Sequence, residues 1–250
     1  MAKKKFALVI LDGWGHGDKT ESDAIFNANT PFMDSLYEKY PHSTLITSGE
    51  EVGLPEGQMG NSEVGHLNIG AGRVVYQDLV KINLAVKDKS FFENKVLVDA
   101  LNHAKINGKK VHYLGLVSEG RVHSSQAHLH ALCDMAKQYG VDDVFVHAFT
   151  DGRDVDPRSG LGYIQQLQAY LENSNGTIAT VTGRYFAMDR DKRWERVAKA
   201  YNVIVKGEGI KFQDPVAAVQ ASYEAGVTDE FIEPVSIVDA NNNPVGLIEE

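Results

Sequence analysis

Five short apolar runs alternate along the chain with segments that carry helix signals, and this alternation constrains the fold more than any other feature. The runs are continuously apolar, which is typical of strands that are covered on both faces. Strands that alternate with helices predict an α/β fold with a mostly parallel sheet. The predicted strands are Phe6–Leu11, Val111–Val117, Val144–Phe149, Thr177–Val181 and Pro234–Val238.

Capping residues mark where the predicted helices begin and end. A proline after a capping residue, a capping box and single serines each indicate a helix start. The predicted starts are Thr30-Pro31, Ser90 with Glu93, Ser125, Ser159 and Asp214-Pro215, with ends near Asn107-Gly108 and Gly226. Both length and composition, 250 residues of which 43% are hydrophobic, suit a globular protein with a real core.

Charge and cysteine usage exclude several classes of function. The net charge of −9 argues against nucleic acid or an anionic membrane surface as the main partner. The only cysteine, Cys133, has no partner for an internal disulfide, and no apolar run approaches the roughly 20 residues of a membrane span. We therefore expect a cytoplasmic protein. Its eight arginines all lie between positions 73 and 196, where either a local anion site or ordinary ion pairs would account for them.

The segment from Gly49 to Gly72 contains seven glycines and shows no helical or strand periodicity. Glycine at this density costs backbone entropy, so it predicts unusual dihedral angles or a close approach to a ligand. A flexible surface loop is the alternative, but flexible linkers rarely carry Met, Val, His, Leu and Ile among their glycines. We expect a shaped, site-forming loop here, with Ser62 as its candidate nucleophile.

The chemistry available to Ser62 depends on what removes its proton. Val64 occupies the second glycine position of a Gly-x-Ser-x-Gly elbow, which disfavours a Ser-His-Asp hydrolase although His66 and His123 are present. Activation by a metal ion with Asp12, at the end of the first predicted strand, fits better. Asp12 could equally be a turn former, and Ser62 an ordinary loop serine.

Polar residues follow four of the predicted strands, and ligands of open α/β sheets bind beyond the carboxyl ends of strands. Their side chains predict a cleft that contains Arg, His and Asp. We expect His123 in that cleft, and His128 and His130 on the exposed side of the next helix rather than in a zinc cluster. No Walker A sequence and no Gly-x-Gly-x-x-Gly turn occurs, so the standard ATP and NAD sites have no support.

The segment Gly60–Arg73, which reads Gly-Asn-Ser-Glu-Val-Gly-His-Leu-Asn-Ile-Gly-Ala-Gly-Arg, resembles the cofactor-independent (2,3-bisphosphoglycerate-independent) phosphoglycerate mutases. Val9–Gly15, Asp151–Pro157 and Thr182–Arg193 match the same family in the expected order and spacing, so that the resemblance covers essentially the whole chain. It implies a metal-dependent isomerase of glycolysis and gluconeogenesis that interconverts 3-phosphoglycerate and 2-phosphoglycerate through a phosphoserine.

The resemblance also implies roles for individual residues. Ser62 would be the phosphorylated nucleophile and, with Asp12, a ligand of one of two divalent metal ions, usually Mn²⁺. No 2,3-bisphosphoglycerate would be needed, and the complete protein would be a monomer. The phosphoglycerate would be held by His123, Arg153, Asp154, Arg184 and Arg190. The three arginines would bind the charged groups of the substrate rather than structural carboxylates of the protein.

Family architecture implies a division of the chain. Residues 1–76 would be the first piece of a discontinuous phosphatase-type domain of the alkaline phosphatase kind, and residues 77–250 a phosphotransferase domain, incomplete at its C-terminal end. The family is about twice as long, and its other metal ligands and two further substrate arginines would lie beyond Glu250. We therefore expect an N-terminal part of such an enzyme. The alternatives are an inactive anion-binding fragment and a metal-dependent phosphatase.

Overall fold

A computed structural model describes residues 5–248 of the chain. The outermost residues of both predicted domains, 1–4 and 249–250, lie outside this range. The chain divides into two compact units, one up to Val80 and the other from Lys81 onward.

The smaller unit consists of helices and irregular segments. Its α-helices are α1 (Ala24–Asn27), α2 (Pro31–Lys39) and α3 (Ser62–Ala71), with a 3₁₀ turn at Gly49–Val52. The start of α2 after Thr30 confirms the predicted proline signal. The helix α3 was not predicted, because Gly65 and Gly70 within it and Gly72 at its end mask its helical pattern.

The predicted first strand is wrong. Residues 6–11 run without regular structure, and Phe6 and Val9 are 95% and 78% exposed. A strand exists only where its backbone N–H and C=O groups pair with a neighbour. The described residues of the smaller unit contain no second strand, so an apolar sequence is insufficient to form one here.

The larger unit, as far as residue 248, is built on a five-stranded sheet, and its mostly parallel character is confirmed. The strand order is β1-β2-β3-β5-β4, and every pair is parallel except β3 with β5. Four strands match predicted runs, whereas the three-residue β4 was missed. The strands are β1 (Val111–Leu116), β2 (Val144–Thr150), β3 (Thr177–Gly183), β4 (Ile210–Phe212) and β5 (Val235–Ile237).

Seven helices of the described range accompany this sheet, the first of them crossing the boundary between the units. They are α4 (Asp78–Asp88), α5 (Lys95–Ile106), α6 (Gln126–Tyr139), α7 (Gly160–Leu171), α8 (Arg184–Ala187), α9 (Trp194–Lys206) and α10 (Pro215–Glu224). The sequence analysis missed α4, α8 and α9. The predicted capping box is also wrong, because Ser90–Glu93 forms a separate 3₁₀ turn and Asn94 caps α5 by accepting from two backbone N–H groups.

Alternate residues of β2 face two different helical layers. Val146 and Ala148 pack in one cluster with Ile164 and Leu167 of α7, whereas Phe149 packs with Val203 of α9. Full burial of a Val, Leu, Ile or Phe side chain stabilises the fold by about 1.5–3 kcal/mol. The sheet is thus covered on both faces, which explains why its strands are continuously apolar, and its carboxyl edge remains free for polar loops.

Candidate active site

Ser62 stands at the first position of α3, where the helix presents unpaired backbone N–H groups. Asn61 caps the helix, since its side chain accepts a hydrogen bond from the Val64 N–H at 3.0 Å. Gly60 makes the approach to this turn possible, because a Cβ at that position would lie 1.7 Å from the Thr47 carbonyl oxygen. The glycine therefore permits a close contact with the backbone of another segment.

Asp12 and Ser62 are brought together by the fold although 50 residues separate them. The Ser62 Oγ donates a hydrogen bond of 2.6 Å to the Asp12 Oδ2. His66, one helical turn after Ser62, places its Nδ1 3.2 Å from the same Oγ and 2.8 Å from the Ser62 carbonyl oxygen. The carboxylate contacts the serine directly rather than through the histidine, so this is not the order of a Ser-His-Asp triad.

His66 is the residue of this cluster that sequence reasoning did not select. Residues four apart lie on the same face of a helix, so the spacing of Ser62 and His66 is itself a signal of contact. Because the segment was interpreted as a loop, this spacing did not predict a contact between the two side chains.

The donor chemistry of Asp12 and Ser62 fits a hard divalent cation, which prefers carboxylate and hydroxyl oxygens. Such ions take about six ligands. Within residues 5–248, no group of three or more His, Cys, Asp or Glu side chains is arranged to hold a metal ion. The donor types of Asp12 and Ser62 are therefore compatible with part of a metal site, and the described residues do not form a complete one.

A second polar cluster lies at the carboxyl ends of β1, β2 and β3, in the larger unit. Its centre is Asp151, which is 2% exposed. The carboxylate accepts hydrogen bonds from the Ser118 hydroxyl at 2.7 Å, from the Arg184 guanidinium at 2.6 Å, and from the backbone N–H groups of Arg153 and Asp154. Burial acts to raise the pKa of Asp151, but these hydrogen bonds outweigh it and hold the pKa below its ordinary value.

Arg184 follows β3 immediately and is buried, as is its partner Asp151, whereas its partner Asp154 is only partly buried. Its guanidinium contacts the carboxylates of Asp151 at 2.6 Å and Asp154 at 2.7 Å. Burial opposes the charge, but the hydrogen bonds and charges of Asp154 and Asp151 raise the pKa of Arg184 further above its ordinary value. Arg184 is therefore paired with two carboxylates in this structure, and its predicted contact with the substrate stays a prediction.

Arg153 is half-exposed and differs from Arg184 in its surroundings. Its guanidinium pairs through one nitrogen with the Glu230 carboxylate, which belongs to a 3₁₀ turn at Asp229–Phe231. One such contact leaves other N–H groups of the guanidinium for a ligand. Arg190 is exposed on the loop between α8 and α9, and His123 is exposed on the loop after β1. The described residues offer neither of them a hydrogen bond or an ion pair.

Asp229 and Glu230 are residues of this edge that sequence reasoning missed. Asp229 is completely buried, where it accepts hydrogen bonds from the Tyr223 hydroxyl and the Gly160 N–H. Burial is the main cause that raises the pKa of Asp229. Glu230, which is 77 positions from Arg153, gives no local signal of its contact.

His128 and His130 are half-buried, so their predicted exposure is wrong. His128 contacts the Asn83 side chain at 2.6 Å, and the His130 ring stacks on Tyr170 with ring centroids 3.8 Å apart. Burial lowers the pKa of both histidines. They pack helices together and do not face the polar cluster around Asp151.

No helix described between residues 5 and 248 has the length and apolar character needed to cross a membrane.

Comparison with known proteins identifies relatives over nearly the whole chain. The family described as "BPG-independent PGAM N-terminus" matches residues 82–250. Three proteins named 2,3-bisphosphoglycerate-independent phosphoglycerate mutase illustrate the similarity. The protein of Bacteroides thetaiotaomicron is 61% identical over 95% of this chain and 47% of its own length. That of Flavobacterium johnsoniae is 59% identical over 99% and 49%, and that of Methanococcoides burtonii 53% identical over 99% and 48%.

A solved structure shows the same fold. The phosphoglycerate mutase of Leishmania mexicana, crystallised at low cobalt concentration, superimposes with a TM-score of 0.71 at 33% identity. The match covers 96% of this chain and 46% of that protein. The chain thus spans about half the length of the curated relatives it matches.

Proposed function

Because the chain belongs to the 2,3-bisphosphoglycerate-independent phosphoglycerate mutase family, we propose that it supplies the nucleophile and the substrate ligands for interconverting 3-phosphoglycerate and 2-phosphoglycerate. The observation that carries the proposal is the 2.6 Å contact between the Ser62 Oγ and the Asp12 Oδ2 at the start of α3. The contact aligns a hydroxyl with a proton acceptor, and the helix start favours negative charge.

Two transfers make up the reaction. The Ser62 oxygen attacks the phosphorus of 3-phosphoglycerate as its proton leaves toward Asp12, and the bond between phosphorus and the substrate 3-oxygen breaks. The 3-hydroxyl forms with a proton from the site. The glycerate then reorients, its 2-oxygen loses a proton and attacks the phosphoserine, and the Ser62 oxygen regains its hydrogen. The phosphoryl group changes position on the glycerate, and no phosphate is lost.

The proposal includes divalent metal ions, and we assign them as two Mn²⁺ ions. Asp12 and Ser62 would ligate one of them, because their oxygens have the chemistry that such ions prefer. When bound, the metal would lower the pKa of the serine hydroxyl and offset charge on the phosphoryl group. The names of the mutase relatives state independence of 2,3-bisphosphoglycerate, and the Leishmania mexicana enzyme was crystallised with cobalt. No 2,3-bisphosphoglycerate is required by this reaction.

The charged groups of the substrate would be bound at the carboxyl edge of the sheet. Arg153 and Arg190 have guanidinium groups that reach solvent, and His123 is exposed on the neighbouring loop. Asp154 and Arg184 form an ion pair at the same edge. A carboxylate and a phosphate at opposite ends of one small substrate call for several forked donors, which arginine provides.

The same proposal covers the organisation of the protein. Residues 1–76 would form the first piece of the phosphatase-type domain, and residues 77–250 the phosphotransferase domain. We place the enzyme in the cytoplasm, as a monomer when complete, in glycolysis and gluconeogenesis.

Detection of the phosphoserine intermediate tests the proposal. A protein of the relatives' length that carries this chain is incubated with 3-phosphoglycerate and Mn²⁺, quenched in acid, and analysed by mass spectrometry. We expect phosphate on Ser62, and we expect Ser62→Ala to lose mutase turnover by several orders of magnitude with an unchanged fold. The exposed Ser43 provides the control, since Ser43→Ala should behave as wild type. Retention of even a tenth of the turnover by Ser62→Ala would refute the assignment. Release of inorganic phosphate in place of 2-phosphoglycerate would indicate a phosphatase.

A further inference from the structure

The imidazole of His66 contacts two oxygen atoms of the same serine, and these contacts define its role. The His66 Nδ1 lies 2.8 Å from the Ser62 carbonyl oxygen and 3.2 Å from the Ser62 Oγ. A carbonyl oxygen only accepts hydrogen bonds. The Nδ1 must therefore carry a hydrogen, and this holds whether the ring is neutral or charged.

The hydrogen of the serine hydroxyl is committed elsewhere. The Ser62 Oγ donates to the Asp12 Oδ2 at 2.6 Å, which is the shorter of its two side-chain contacts. Toward His66 the serine oxygen can then act only as an acceptor. The two neighbours consequently have opposite polarity, because Asp12 attracts the serine proton, whereas the Nδ1–H of His66 is shared between the nearer Ser62 carbonyl oxygen and the Ser62 Oγ.

We propose that His66 is a further catalytic residue, which donates its Nδ1–H to the Ser62 oxygen while that oxygen carries negative charge. The inference deepens the proposed function and depends on Ser62 being the nucleophile. Negative charge develops on this oxygen twice, first when it attacks the substrate and again when it leaves the phosphoserine. A single fixed donor therefore stabilises both transfers. A general-base role for the histidine is excluded by the same geometry.

The backbone prepares this donor before any substrate binds. Ser62 and His66 are four residues apart in α3, so the ring of His66 folds back over the preceding turn. The carbonyl contact fixes both the ring orientation and the position of the hydrogen. No rearrangement is then needed at the moment of reaction, which is the condition under which a hydrogen bond contributes most to catalysis.

Four variants in the family-length protein with Mn²⁺ test the role. His66→Leu removes the hydrogen-bond donor but keeps a side chain of similar size. His66→Asn restores an N–H near the position of Nδ1, whereas His66→Gln places its N–H near the position of Nε2. We expect kcat to fall about 10²-fold to 10³-fold in His66→Leu, as for loss of one donor to an oxyanion, with KM little changed. His66→Asn should recover most of the loss and His66→Gln little of it. The control is His103→Leu, an exposed histidine of α5, which should retain wild-type kcat.

A second measurement is independent of turnover. Long-range ¹H–¹⁵N NMR at alkaline pH, where an imidazole is neutral, reports which ring nitrogen carries the hydrogen. We expect it on Nδ1 of His66, and a hydrogen on Nε2 would overturn the inference. Equal kcat in His66→Leu and His103→Leu would overturn it as well. Should His66→Leu fail to fold, the asparagine and glutamine variants decide, and equal kcat in these two would refute the donor role.

The phosphoserine assay separates the two proposals. If wild type forms phosphoserine at Ser62 and the His66 variants turn over normally, the inference about His66 fails alone. If wild type never phosphorylates Ser62, the proposed function fails and takes the inference with it.

Discussion

At the scale of single residues, the two arginines nearest the predicted substrate site differ in what surrounds them. Arg184 is buried between two carboxylates, whereas Arg153 is half-exposed and pairs with Glu230. A buried charge depends on its partner far more than an exposed one does, because water cannot replace the partner. Arg184 therefore ties the loop after β2 to the end of β3, whereas the Arg153 side chain is half-exposed to water beside its single carboxylate partner.

This difference leads to a prediction for Asp151. Asp151→Asn preserves the shape of the side chain but leaves buried Arg184 with one carboxylate, so we expect the free energy of unfolding to fall by about 2–4 kcal/mol. Urea unfolding at neutral pH measures it. Glu233→Gln is the control, because Glu233 pairs with Lys199 at 2.9 Å on the surface, where such a pair contributes at most about 1 kcal/mol. Equal losses in the two variants would contradict the structural role assigned to Asp151.

At the scale of secondary structure elements, β2 carries a buried histidine between two other strands. The His147 Nε2 lies 2.9 Å from the Nδ1 of His112 on β1, and the His147 Nδ1 lies 3.0 Å from the Thr180 hydroxyl on β3. Burial, with a smaller contribution from the charge of His112, lowers the pKa of His147 to about 4. The folded protein thus keeps this imidazole neutral at a pH where the unfolded chain protonates it.

The sign of the pH dependence follows from that difference. Between about pH 6.5 and pH 4, His147 binds a proton in the unfolded chain but stays neutral in the folded protein. The free energy of unfolding therefore falls as the pH falls, by up to about 3 kcal/mol. His147→Gln removes this titration, and we expect its stability to fall less over the same range in chemical denaturation. The exposed His103 supplies the comparison, since His103→Gln should retain the wild-type slope. A His147→Gln protein with the wild-type slope would show that other groups cause the acid sensitivity.

Elements also show what the sequence could and could not predict. Val144–Phe149 was predictable as a strand because both faces of β2 are buried, whereas Phe6–Leu11 is equally apolar but has no strand to pair with among the described residues of its unit. Glycines at positions 65, 70 and 72 concealed α3, although an N-cap at Asn61 begins it and the left-handed Gly72 ends it regularly. Local sequence carries the propensity of an element, and pairing or capping decides whether the element forms.

At the scale of the whole molecule, sequence reasoning predicted candidate site residues but not all of their contacts. Asp12 and Ser62 were selected because each stands in a motif, and the fold brings them into contact. Glu230, Asp229 and His66 were not selected from the sequence. The contacts of Glu230 and Asp229 join residues that are far apart in the sequence, and the contact of His66 depends on a helix that was not predicted. Motifs thus point to candidate groups, and only the fold shows which other groups contact them.

The last prediction concerns a polypeptide of these 250 residues alone. The described residues offer a divalent ion two oxygen donors, Asp12 and Ser62, of the about six that it takes, so its affinity should be low and the serine should remain protonated. Phe6, Leu8 and Leu45 are also at least 67% exposed, and such apolar surface promotes self-association. We expect little conversion of 3-phosphoglycerate with excess Mn²⁺, and a concentration-dependent mass in light scattering. The control is a protein of the relatives' length assayed beside it. Comparable turnover by the two would show that these 250 residues complete the metal site themselves.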